Sequence, residues 1–180
     1  MSLPNLLTLF RILLIPTFAL VFLYHQETAA LVVFVVAGVT DFLDGYIARA
    51  RHQQTGLGSF LDPMADKLLL LTAFAMLFAR QAVPLWALVL VATREVFIVV
   101  GWVIRHLMTR SKAVEPTLLG KAATGFQLAA VSLLLVGRRL PLPADLAVRT
   151  LDVAMAFTAV SGLHYVYSGL RELEPGRRPT

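Results

Sequence analysis

The chain has 180 residues, of which 58% are hydrophobic and 15% charged, with a mean hydropathy of +0.75. Soluble domains average about 45–50% apolar and about 25% charged, and disordered chains are poorer still in apolar residues, so neither class fits. The absence of cysteine excludes disulfide scaffolds, thiolate metal sites and cysteine nucleophiles, and the composition is that of an integral membrane protein.

A bilayer core of about 30 Å needs roughly 20 apolar residues of helix. Six spans are predicted in chain order: Leu6–Tyr24, Ala29–Ile47, Lys67–Ala79, Leu85–Ile104, Leu118–Val136 and Ala147–Tyr167. The stretch Met1–Thr8, with Pro4 among apolar neighbours, predicts a short helix lying along the interface before the first span. No cleavable leader is expected, because Arg11 interrupts the first apolar run and no small-residue cleavage site follows near His25. The third span reaches full length only if its helix starts near Ser59, which draws Asp62, Asp66 and Lys67 into it. Trp86 and Trp102, at opposite ends of the fourth span, and Tyr165 and Tyr167, near the end of the sixth, suit interfacial belts. The expectation is one all-α membrane domain over residues 1–170 and a charged tail at 171–180 containing Pro175, Gly176 and Pro179.

Loop charges give the orientation. One set of connections plus the tail holds Arg49, Arg51, Arg105, Arg110, Lys112, Arg171, Arg177 and Arg178, whereas the other set holds Arg80, Arg138 and Arg139. By the positive-inside rule both termini are cytoplasmic. The formal net charge of +5 then follows from cations gathered where anionic headgroups meet them. With no basic stripe interleaved with aromatics, nucleic acid is not an expected partner.

The informative residues are acids inside apolar sequence. Asp41 and Asp44 end the second span and Asp62 and Asp66 open the third. A carboxylate at membrane depth costs at least ~2.5–3.5 kcal/mol, so four of them need partners that offset the penalty. Spacings of three and four put each pair on one helix face, and a short connection makes the two helices antiparallel neighbours. Four converging carboxylates repel one another unless protons or cations intervene. An all-oxygen, highly charged donor set suits Mg²⁺ or Mn²⁺, and two ions would balance four negative charges. Gly45 and Ala48, one turn past the first two acids, leave room for a ligand or allow close helix packing. Arg49 can hold a phosphate bidentately or serve as a positive-inside anchor.

Written out, the pattern is Asp41-x2-Asp44-Gly45-x2-Ala48-Arg49-x8-Gly58-x3-Asp62-x3-Asp66. It resembles the signature of the CDP-alcohol phosphatidyltransferases at every defined position. Pro4-Asn5-Leu6-Leu7-Thr8 with Arg11, Arg94-Glu95, and Gly120-Lys121 followed by Thr124 and Gln127 resemble the phosphatidylglycerophosphate synthases of that family. The resemblance implies the fold of that family, with six transmembrane helices, a homodimer and a polar cavity open to the cytoplasmic face of a bacterial-type plasma membrane. It implies transfer of a phosphatidyl group from CDP-diacylglycerol to an alcohol, with release of CMP. Asp41, Asp44, Asp62 and Asp66 then correspond to metal ligands, with Asp66 also the base that activates the acceptor hydroxyl. Asn5, Thr8, Gly45, Ala48, Arg49, Thr55 and Gly58 correspond to contacts with the nucleotide and pyrophosphate. General chemistry agrees, since paired divalent ions neutralise attacking and leaving oxygens and a carboxylate can deprotonate a hydroxyl.

A glycerol-3-phosphate acceptor is a dianion, so its pocket gathers cations, and Arg94, Arg105, Arg110 and Lys121 are the candidates. Glu95 can pair with Arg94 or Lys121, and Arg94–Glu95 can equally be a structural ion pair. The phosphatidylglycerophosphate synthases carry further basic residues at the positions of Ala123 and Trp102. Cardiolipin synthases that use CDP-diacylglycerol lack them, and their acceptor, phosphatidylglycerol, carries only a phosphodiester charge. Glycerol-3-phosphate is the expected acceptor, phosphatidylglycerol the alternative, and inositol phosphate and serine follow. A transporter would be expected to show an internal repeat with broken helices, and none is visible. An intramembrane aspartyl protease needs a facing pair of acids without a glycine-arginine spacer, and a non-catalytic lipid-binding scaffold is the remaining rival. His25, His52, His106 and His164 are scattered near span ends and read as interfacial.

Overall fold

The computed structural model describes the backbone over residues 3–51, 58–109, 117–137, 140 and 143–172, and side chains over 9–40, 67–101, 117–137 and 145–169, with Val103, Leu140 and Pro143. Among the described residues six helices follow one another: α1 Leu3–Leu23, α2 Glu27–Arg51, α3 Gly58–Ala79, α4 Leu85–Thr109, α5 Leu118–Gly137 and α6 Ala144–Glu172. Each overlaps one predicted span, and the first span alone runs past its helix, by Tyr24. α3 begins at Gly58, as the full-length reading of the third span requires, and α2 continues past its last acid to Arg51. The separate interfacial helix does not form, because Leu3–Thr8 makes the first turns of α1. Pro4 sits in that first turn, where the missing N–H has no intrahelical partner to lose.

The helix ends explain the short turns. α1 closes with Gln26 N–H donating to the Val21 carbonyl and His25 N–H to that of Phe22, with His25 at φ 60°. α3 closes the same way, through Ala82 to Leu77 and Gln81 to Phe78, with Gln81 at φ 55°. Both are left-handed caps of the Schellman kind, adopted here by non-glycine residues. Arg80 locks the two caps together. Its Nη2 donates to the Phe22 and Leu23 carbonyls at 3.1 and 3.2 Å, and its Nη1 lies 2.6 Å from His25 Nδ1. A guanidinium only donates, so Nδ1 is the acceptor and the ring proton sits on Nε2. The same guanidinium stands 5.4 Å over the Phe22 ring, a cation at a helix C-terminus where unpaired carbonyls favour it. At the other end, Thr117 caps α5 by accepting the Gly120 N–H at 3.1 Å.

α1 packs on α2 and α3, α5 packs on α6 and α2, and α4 joins α3 to α6. The core runs through Phe18, Phe22, Phe34, Phe74 and Leu77, with the Phe18 ring 5.9 Å from Phe22 and 5.7 Å from Phe34. Ala30, Ala37, Ala73, Ala87, Ala130 and Ala154 are fully buried. Lipid tails are as apolar as leucine, so such small residues, by letting backbones approach, supply packing that burial alone would not. Leu13, Leu20, Val32, Val39, Val89, Val96, Val160 and Leu163 face outward. Among the described residues, Leu118–Gly137 and Asp145–Gly169 are long and apolar enough to cross a membrane.

Tyr165, near the end of the sixth span, packs against α4. It turns inward and donates its Oη hydrogen to the Ile98 carbonyl at 3.2 Å. It fits because position 101 is glycine, where a Cβ would come within 2.5 Å of that oxygen.

Candidate active site

The acids lie on the two helices that flank the 52–57 connection. Asp41, Asp44, Gly45, Ala48 and Arg49 occupy the last turns of α2, and Gly58, Asp62 and Asp66 the first turns of α3. α2 packs on α3, so one end of the bundle carries both acidic pairs. The side chains of these residues, and of Asn5, Thr8 and Arg105, lie outside the described residues, as does Thr55 altogether. Among the described residues, no group of three or more His, Asp or Glu could hold a metal ion.

What the structure does describe at this end is the polar layer that continues from the acids. Lys67, next in the chain to Asp66, donates to Glu95 Oε2 on α4 at 2.5 Å. Glu95 Oε1 accepts a second bond from Arg94 Nη1. Arg94 Nη2 donates to the Gly120 carbonyl on α5 at 3.1 Å, and Nη1 lies 3.5 Å from Thr124 Oγ1. Thr124 in turn donates to the Gly120 carbonyl at 3.1 Å. Arg94 and Glu95 are 6% and 5% exposed, and the Lys67 side chain 20%. In this cluster one carboxylate thus faces two cations. Charges so placed are costly unless paired and hydrogen-bonded, and they mark the working parts of membrane proteins.

Several residues singled out in the sequence meet here. Arg94, Glu95, Gly120 and Thr124 form one cluster, and Gln127 donates to Thr158 Oγ1 at 2.8 Å within the α5–α6 contact. Glu95 pairs with Arg94 and with Lys67, whereas Lys121 is exposed on the first turn of α5. The Lys67–Glu95 bond was missed from sequence. The available signal was Lys67 itself, the one lysine beside the acids, which needs an anion to enter an apolar span. Arg11 is fully buried in α1. Ala123 is buried against neighbouring helices, so a methyl group fills the position where a second basic residue was considered.

The described cluster links α3, α4 and α5 through one carboxylate shared by two cations. Over 186 aligned residues the chain is 37% identical to the CDP-diacylglycerol–glycerol-3-phosphate 3-phosphatidyltransferase of Bacillus subtilis, covering 91% of this chain and 93% of that protein. It is 34% identical to a probable phosphatidylglycerophosphate synthase of Mycobacterium tuberculosis, covering 96% and 83%. It is 39% identical to a probable cardiolipin synthase (CMP-forming) of Drosophila melanogaster over 74% of this chain, which spans 46% of that relative. The profile of CDP-alcohol phosphatidyltransferases matches residues 1–163, and this chain, an enzyme by that membership, belongs to the CDP-alcohol phosphatidyltransferase family.

Proposed function

We propose that the chain is a phospholipid-synthesising transferase that moves the phosphatidyl group of CDP-diacylglycerol to glycerol-3-phosphate and releases CMP. The observation that carries this reading is the unbroken eight-position motif on α2 and α3 inside a family match covering residues 1–163. Relatives named for glycerol-3-phosphate over most of both chains support the acceptor.

The six helices are read as membrane spans, with both termini and the acidic end cytoplasmic and two copies forming a homodimer. The outward apolar side chains support the membrane, and the arginine distribution supports the orientation. Asn5, Thr8, Gly45, Ala48, Arg49, Thr55 and Gly58 bind and orient the nucleotide and its pyrophosphate. Asp66 takes the proton of the acceptor hydroxyl as that oxygen bonds to the β-phosphorus. The bond from the β-phosphorus to the bridging oxygen breaks, and CMP leaves with the electron pair. The donor set Asp41, Asp44, Asp62 and Asp66, all hard oxygen ligands on adjoining helix ends, fits two divalent cations. Mg²⁺ or Mn²⁺ held there would neutralise charge on the attacking and leaving oxygens.

A second reading is a cardiolipin synthase using phosphatidylglycerol. Buried Ala123 favours it, because the acceptor pocket then has one cation fewer for a phosphate dianion. Competition between the two acceptors decides. Purified protein with labelled CDP-diacylglycerol and Mg²⁺ is expected to release CMP with glycerol-3-phosphate and to form phosphatidylglycerophosphate. Cardiolipin as product supports the second reading. CMP release that ignores both acceptors, or survives a chelator, overturns both.

A further inference from the structure

Glu95 answers to two cations where one would neutralise it. Arg94 alone matches its charge and shares its burial, and Lys67, one-fifth exposed, brings a second cation to the same carboxylate. Lys67 comes from the first turns of α3, directly after Asp66 and five residues after Asp62. A helix advances about 1.5 Å and 100° per residue, so a fixed side chain at Lys67 fixes the height and rotation of the turns before it. On its other side the chain continues through Arg94 to the Gly120 carbonyl and the Thr124 hydroxyl of α5. One run of bonds thus ties the acid-bearing end of α3 to both α4 and α5.

We propose that Glu95 is a positioning residue: by holding Lys67 it sets the height and rotation of the α3 turns that carry Asp62 and Asp66. The inference rests on the reading of Asp62 and Asp66 as part of the reaction site. Outer partners of metal ligands commonly control affinity or activity by about 10–100-fold.

The test uses the full chain in detergent or lipid nanodiscs. Mn²⁺ binding is followed by the loss of free-ion paramagnetic resonance, without substrate, beside kcat and KM for CDP-diacylglycerol. Glu95→Gln and Lys67→Met are each expected to weaken Mn²⁺ binding about 10–100-fold and to lower kcat by a similar factor. KM for CDP-diacylglycerol is expected to stay within about twofold, as for an interaction that acts on turnover. Lys67→Arg, which keeps the charge, is expected to recover most of the Mn²⁺ affinity. If Glu95→Gln fails to fold, the less buried Lys67→Met carries the test. Folded variants with wild-type Mn²⁺ affinity overturn the proposal, as does a wild type that binds no Mn²⁺. A wild type that binds Mn²⁺ yet gives no acceptor-dependent CMP refutes the assigned reaction, while the variants' Mn²⁺ affinities still decide the positioning role.

Discussion

Gly101 on α4 is the contact at which a single methyl group should have the clearest effect. A Cβ there would lie 2.5 Å from Tyr165 Oη, 2.7 Å from Cε1 and 2.9 Å from Cζ. The ring cannot retreat without giving up its bond to the Ile98 carbonyl. Overpacking costs about 1–3 kcal/mol, and the lost hydrogen bond about 0.5–1.5 kcal/mol. Against these stands a gain of about 1 kcal/mol from replacing glycine by alanine within a helix. Gly101→Ala is therefore expected to destabilise the protein by about 0.5–3.5 kcal/mol. In a Tyr165→Ala background the collision is gone, and the same substitution should stabilise by up to about 1 kcal/mol. Reversible unfolding in detergent of the wild type, both single variants and the double variant measures this coupling directly. If Gly101→Ala changes stability equally in the two backgrounds, the close approach of α4 and α6 is not what fixes glycine there.

Arg80→Ala removes both donors to the α1 carbonyls, the contact with His25 and the cation over Phe22, and should destabilise by about 1–3 kcal/mol in the same unfolding assay. Gln81→Gly relieves a left-handed conformation without touching the Arg80 bonds and should stabilise by about 0.5–1 kcal/mol; no gain would show that the turn is unstrained. Asp66→Asn should lower acceptor-dependent CMP release by about 10²–10⁴-fold, while Asp145→Asn, at an exposed position on α6, should leave it unchanged. Turnover near wild type in Asp66→Asn would remove that residue as the base.

Helix positions were legible in the sequence because apolar runs and their interruptions are local. Pro84 sets the start of α4, Thr117 caps α5, and the need to lengthen the third span foretold the Gly58 start of α3. Neighbour relations were less legible. In an aqueous protein the apolar stripe of a helix points to the core, whereas here core and outer faces are both apolar. Val91, fully buried, and Val89, outward, read alike in sequence. The polar residues broke that degeneracy only in part. Arg94 and Glu95 announced a buried pair, yet Lys67 as the second partner depends on α3 packing against α4. The partner of Tyr165 was hidden for the same reason, since its bond to the Ile98 carbonyl depends on the room that Gly101 leaves.

The Arg80 lock pins the C-terminal ends of α1 and α3, and α3 presents its acids at the opposite pole. Stapling the C-terminal pole holds the turns after α1 and α3 to one another through a single side chain, so the spacing of the two helices there rests on Arg80.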